Sequence, residues 1–82
     1  MIVIDYTLPE GKQGGGKTHH NHAGIDVTPL VWRIQISTFE GDAGAYIFYF
    51  DKEGNELNDL YYDSMDMAKR HVLWEFGLEE IQ

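Results

Sequence analysis

The sequence predicts an α+β fold in which an antiparallel meander sheet of three to four strands carries one C-terminal helix packed on it. Three observations predict this class. Residues 30–39 alternate between apolar and polar side chains, as a half-buried strand does. Residues 45–62 hold two strand-like runs separated by a turn at Gly54. A capped amphipathic segment then covers residues 65–76.

The strands follow from side-chain type, taken in chain order. Residues 2–8 are rich in β-branched and aromatic types. In residues 30–39, apolar side chains occur at every second position and so lie on one face of the strand. Residues 45–51 carry aromatic side chains on both faces, which indicates a central strand, and residues 56–62 follow after a turn. Loops of about five residues join the last three strands, so these strands are antiparallel neighbours.

The helix is predicted at residues 65–76. Ser64 is a good N-cap, Asp66 lies near the positive end of the helix dipole, and Gly77 ends the helix. One apolar stripe is expected to pack on the sheet and consists of Met65, Ala68, Val72 and Phe76. A second stripe contains Met67, Trp74 and Leu78, with His71 beside them. The second stripe needs a cover: the Gly-rich loop, an N-terminal segment or a second protein chain, with cover by the chain itself preferred.

The side chains expected to be buried are Trp32, Ile34, Ile36, Ile47, Tyr49, Ala68, Val72 and Phe76. A chain of 82 residues is expected to form one domain, residues 1–82. Residues 9–24 contain five glycines and no periodic apolar face, which predicts a flexible loop.

This loop contains two motifs that look chemical. Residues 11–18 match the phosphate-binding pattern G-x-x-x-x-G-K-[ST], but residues 19–24 carry no helical stripe and the later strands are linked by hairpins, so nucleotide hydrolysis is not predicted. His19, His20 and His22 are a weak signal for zinc, nickel or copper, since a structural site needs a fourth ligand and oriented rings. No cofactor is predicted.

Catalysis is not predicted either. The carboxylates lie in turns or at solvated positions, and no nucleophile, base and orienting group can be matched by spacing. We therefore expect a protein that is not an enzyme.

Charge is distributed unevenly. Residues 1–38 are balanced, so the whole net charge of −8 lies in residues 39–82. The electrostatic field of these acidic residues repels phosphate backbones and speeds encounter with basic surfaces. Nucleic-acid binding is therefore not expected, and a basic protein partner is expected. The absence of cysteine, of a basic leader and of a long apolar run favours a cytoplasmic protein that does not enter membranes.

The C-terminal part of the chain resembles a known family. The resemblance is carried by residues 45–78, AYIFYFDKEGNELNDLYYDSMDMAKRHVLWEFGL, through the FDKEGNE turn, Ala68 and the Glu75-Phe76-Gly77 helix ending. These features are similar to small bacterial immunity proteins of polymorphic and contact-dependent toxin systems. The resemblance implies a cytosolic inhibitor that binds one cognate toxin, often a basic nuclease, by covering its active site or a neighbouring surface.

For that task, charge gives fast encounter and aromatic anchors give slow dissociation. The residues expected to contact the partner are Asp51, Glu53, Asp59, Tyr61, Tyr62, Asp63 and Trp74. Two alternatives remain open: a phage or plasmid protein that mimics nucleic-acid charge to block a host enzyme, and a small metal- or nucleotide-binding module using residues 11–22. The oligomeric state also remains open.

Overall fold

A computed structural model describes residues 1–14, 17 and 19–80, except for the side chain of His22. The elements in chain order are β1 (Ile2–Thr7), β2 (Asn21–His22), β3 (Ile25–Asp26), β4 (Arg33–Ser37), β5 (Ala45–Phe50), β6 (Glu56–Tyr62) and α1 (Met65–Phe76). Strands β1, β4, β5 and β6 form an antiparallel sheet in that order, and β2 and β3 form a separate hairpin. The predicted α+β class, a meander sheet with one C-terminal helix, is confirmed.

Strand register decides which side chains enter the core. Ile34 lies opposite Tyr49, and Ile36 lies opposite Ile47. All four are buried with 0% exposure, because paired residues share a face and α1 packs on this face. The predicted burial of these residues and of Ala68, Val72 and Phe76 is confirmed.

Trp32 corrects the sequence prediction. The strand begins only at Arg33, because residues Thr28–Leu30 form a 3-10 turn that contains Pro29. Trp32 is therefore half-buried at the margin of the core, where the Nζ atom of Lys52 lies 5.6 Å from its ring centroid.

The helix begins and ends where its caps predict. The Oγ atom of Ser64 accepts a hydrogen bond from the Met67 amide at 3.2 Å, and Gly77 adopts a left-handed conformation with φ 64°. Between these caps Ala68, Val72 and Phe76 are buried as expected, and so is Glu75, which the sequence analysis did not place in the core.

The segment between β1 and β4 is held against the body of the protein. The Gly14 amide donates to the Val31 carbonyl at 2.8 Å, and the Lys17 amide donates to the Glu75 carbonyl at 2.9 Å. His20 is buried with 0% exposure. The described part of the predicted flexible loop is thus joined to the helix and to Val31, which precedes β4.

Candidate functional site

The face of the sheet opposite α1 carries a row of aromatic side chains. Because β5 places Ala45, Ile47 and Tyr49 in the core, its alternate residues Tyr46, Phe48 and Phe50 point the other way. These three side chains are half-exposed, and Tyr61 on β6 and Phe39 before β5 are exposed by 46% and 49%. We call these five residues the aromatic sheet face.

The rings of this face contact one another. Tyr46 and Tyr61 are cross-strand partners whose ring centroids are 4.8 Å apart. Tyr46 also stacks on Phe48 at 6.1 Å and meets the edge of Phe39 at 5.2 Å. Such ring pairs favour offset or edge-to-face arrangements and hold one another in place. The result is a preformed apolar surface that remains in contact with solvent.

Carboxylates border this surface on both edge strands. On β6, Asp59 lies opposite Phe48 and Glu56 lies opposite Phe50. On β1, Asp5 is exposed and its Oδ1 atom lies 3.5 Å from the Nε atom of Arg33. The aromatic sheet face therefore has acids on two sides.

A fourth carboxylate, that of Asp42, holds Tyr61 in place at one end of the aromatic sheet face. Asp42 accepts hydrogen bonds from the Gly44 amide at 2.9 Å and from the Tyr61 hydroxyl at 2.8 Å. These bonds, the one from Gly44 first, lower the pKa of Asp42, and the bond to Asp42 raises the pKa of Tyr61 to about 12. Tyr61 therefore keeps its proton at neutral pH and its ring is oriented by Asp42.

The structure divides the predicted contact residues between several places. Asp59 and Tyr61 lie together on the aromatic sheet face, and Asp63 is exposed just after β6. Tyr62 points to the opposite side, because consecutive residues of a strand face opposite ways, and it lies near Trp74 on the helix side.

The turn between β5 and β6 holds the other two predicted contact residues. Glu53 is exposed there. Asp51 accepts bonds from the amides of Glu53 and Asn55 at 3.0 and 2.8 Å, and the bond from Asn55 is the main cause that lowers its pKa. Asp51 thus stabilises the turn.

On the helix side, a shallow depression of about 330 Å³ is lined by Tyr62, Met67, Arg70, His71 and Trp74. The Nζ atom of Lys17 lies 5.3 Å from the Trp74 ring centroid. Trp74 and Met67 nevertheless remain 54% and 47% exposed, so the expected cover of the second stripe by the chain itself is only partial.

A buried carboxylate lies beneath this depression. Glu75 is 1% exposed and accepts hydrogen bonds from His20 Nε2 at 2.7 Å, from the Tyr49 hydroxyl at 2.6 Å and from His71 Nε2 at 3.0 Å. Burial and the Glu75 charge raise the pKa of Tyr49, so its phenol stays protonated and donates. Glu75 thereby connects the helix, strand β5 and the segment that precedes β2.

Both histidines have a second partner. The Asn58 side-chain amide donates to His20 Nδ1 at 3.0 Å, and the Tyr62 hydroxyl lies 2.6 Å from His71 Nδ1. The other ring nitrogen of each histidine, Nε2, donates to Glu75. Burial, with the Glu75 charge second, raises the pKa of Tyr62 and keeps its phenol protonated. The ring nitrogens are all used inside the protein, so we assign the network a structural role.

The histidine motif is divided by this network. His20 is buried between Glu75 and Asn58, whereas the His19 ring is exposed and its Nδ1 atom lies 3.3 Å from Asp26 Oδ2. Among the described side chains, no three of His, Asp or Glu are placed to hold a metal ion. The side chain of His22 lies outside the described residues, so a site that includes it stays a prediction.

The phosphate-loop motif lies partly outside the described residues, which exclude Gly15, Gly16 and Thr18. Where a nucleotide-binding fold needs a helix, residues 21–26 form the β2–β3 hairpin.

The stability that ionised Glu75 contributes should be lost in acid. Burial, the largest influence, raises the pKa of Glu75, but the bonds from His20, His71 and Tyr49 together lower it below the ordinary 4.5. A depressed folded-state pKa gives stability that is complete above the unfolded-state pKa and is lost as pH falls through the folded-state pKa. The urea midpoint should therefore fall as pH drops below about 4.5, and less steeply in Glu75→Gln. An equal slope in that variant would assign the effect to other carboxylates whose pKa is lowered, such as the half-buried Asp42.

In comparisons with known proteins, no protein-family model, no curated protein and no solved structure matches the chain. Across the residues that the structure describes, no helix is long and apolar enough to cross a membrane. Function is therefore inferred from the chain's own residues.

Proposed function

We propose that this chain is a non-catalytic, protein-binding inhibitor of the immunity type that acts in the cytoplasm on one basic toxin, such as a nuclease. The aromatic sheet face, bordered by carboxylates on both edge strands, is the observation that carries the proposal. Exposed rings supply the apolar area that slows dissociation, and acids attract a basic partner and speed association.

Charge favours the sheet face over the helix-side depression. Asp59 and Glu56 stand beside the aromatic rings of β5, whereas Lys17 lies over Trp74 and Arg70, which lines the same depression, pairs with Asp66 at 3.0 Å. A basic surface is attracted more strongly by the first arrangement than by the second. We therefore assign the primary contact to Asp59 and Tyr61, with Asp63 at its margin.

A non-catalytic role agrees with how the chain uses its titratable groups. The histidines His20 and His71 and the buried carboxylate Glu75 use their polar side-chain atoms on one another and on neighbouring side chains. The acids on the sheet face, Asp5, Glu56 and Asp59, lie on exposed strand positions. Binding, and not bond making, is what this arrangement supports.

The test uses the product of the reading frame adjoining the one that encodes this chain. That product should be a basic toxin, and co-production of this chain should restore growth of cells that make it. In purified form the two should bind with an association rate that falls at least about tenfold between low and high salt. Absence of binding, or an association rate that does not change with salt, would overturn the proposal.

The charge variants separate the two faces of the molecule. Asp59→Asn combined with Glu56→Gln should slow association and flatten its salt dependence. The matched control is Glu79→Gln, which removes one charge from an exposed position after α1. If Glu79→Gln slowed association as much as Asp59→Asn or Glu56→Gln alone, only the net charge of the protein would matter.

A further inference from the structure

The aromatic sheet face already binds one arginine of its own chain. The Arg33 guanidinium lies over the Phe50 ring, 5.0 Å from its centroid, and the Nε atom lies 3.5 Å from Asp5 Oδ1. This nitrogen is buried and has no hydrogen-bond partner among the described residues, so ring and carboxylate hold the cation by electrostatic attraction and stacking.

The same combination recurs one step along β5. Phe48 is the next residue of the strand on this face, and its cross-strand neighbours are Asp59 on β6 and Gln35 on β4. Side chains at such paired positions have Cβ atoms about 4.5 to 5.5 Å apart. Phe48 is half-exposed, and in the part of the chain that the structure describes the cations over rings lie on Phe50, Trp32 and Trp74.

We propose that Phe48, Asp59 and Gln35 form a binding site for the guanidinium group of an arginine side chain of the partner protein. The inference rests on the proposed function, because it names the group by which a basic partner is recognised. The Phe48 ring supplies the stacking surface, the Asp59 carboxylate accepts the N–H fork, and the Gln35 amide oxygen accepts a further N–H. Tyr46, stacked at 18° to Phe48, forms the wall toward one end of the strand.

Arginine fits this site better than lysine. A planar guanidinium stacks on a ring while it donates in its own plane to a carboxylate at the side, whereas an ammonium is a compact, strongly hydrated point charge. The Arg33–Phe50–Asp5 group shows that a guanidinium is held on this face of the sheet between a ring and a carboxylate. The site therefore distinguishes between two basic side chains of equal charge.

Two blocked peptides, Ac-Gly-Arg-Arg-Gly-NH2 and its lysine counterpart, test the proposal by NMR titration. The arginine peptide should shift the Phe48 ring and the Gln35 side-chain amide, and should bind at least about threefold more tightly than the lysine peptide. Phe48→Leu and Asp59→Asn should each abolish that preference, while Glu79→Gln should keep it. Far-UV circular dichroism of the variants checks that they are folded.

Equal affinity for both peptides, or shifts centred on Trp74, would overturn this site. The result is separable from the proposed function. If Phe48→Leu still inhibits the adjoining toxin at wild-type strength and the peptides show no preference, the arginine site is wrong and the inhibitor remains. If the arginine preference is present but the toxin is not bound, the inhibitor proposal fails and the site remains.

Discussion

Val72→Asp should unfold the protein. Val72 is 0% exposed on the stripe of α1 that packs on the sheet, next to the buried residues Ala68 and Phe76. A carboxylate placed there among apolar side chains loses its hydration, which costs several kcal/mol. A domain of this kind has a total stability of about 5 to 15 kcal/mol, so the variant should show no cooperative melting transition.

The matched control is Met67→Asp in the same helix, where the side chain is 47% exposed. It should change the free energy of unfolding by about 0.5 kcal/mol or less. Thermal melts followed by circular dichroism measure both variants. A Val72→Asp protein that melts at the wild-type temperature would show that this helix face is not packed on the sheet.

Glu75→Ala should cause the second large loss of stability. The substitution leaves three donors without an acceptor, two of them buried on His20 and Tyr49 and one partly buried on His71. An unsatisfied buried donor costs about 1 to 3 kcal/mol, so the free energy of unfolding should fall by about 3 kcal/mol or more. Chemical denaturation at neutral pH measures it, with Glu79→Ala as an exposed control.

A Glu75→Ala cost below about 1 kcal/mol would mean that water replaces the carboxylate and that the network does not hold the fold together. A double variant provides a second check. His20→Ala should cost much less in the Glu75→Ala background than in the wild type, because residues in one hydrogen-bond network are coupled.

The sequence predicts the fold because its signals are local. Ser64 and Gly77 bound the helix, and both are recognised from neighbouring residues alone. Strand β6 also has its predicted limits, Glu56–Tyr62, after the turn at Gly54. The strand near residue 33 is shorter than predicted, because Pro29 and its neighbours turn before the extended backbone begins.

The buried network could be predicted only in part. Glu75 lies seven residues after Ala68, so in an ideal helix it falls within about 20° of the buried stripe, and an acid at such a position signals a buried polar contact. His71 lies one turn earlier, within reach of it. His20 is 55 residues away in the chain, and no local pattern indicates that a loop histidine completes the network.

The structure separates two of the predicted contact residues. Tyr61 and Tyr62 are consecutive residues of a strand, so they lie on opposite faces. The sequence also indicates the aromatic sheet face. In β5 the residues Tyr46, Phe48 and Phe50 alternate with the core residues Ala45, Ile47 and Tyr49, so they lie on the other face and remain half-exposed.

Side-chain NMR of the complex with the toxin from the adjoining reading frame tests most directly whether the sheet face is the contact surface. The ring resonances of Phe48 and Tyr61 should shift on binding, while the indole N–H of Trp74 on the other side of the molecule should stay in place. Shifts at Trp74 and Tyr62 with unchanged Phe48 and Tyr61 rings would contradict binding through the aromatic sheet face.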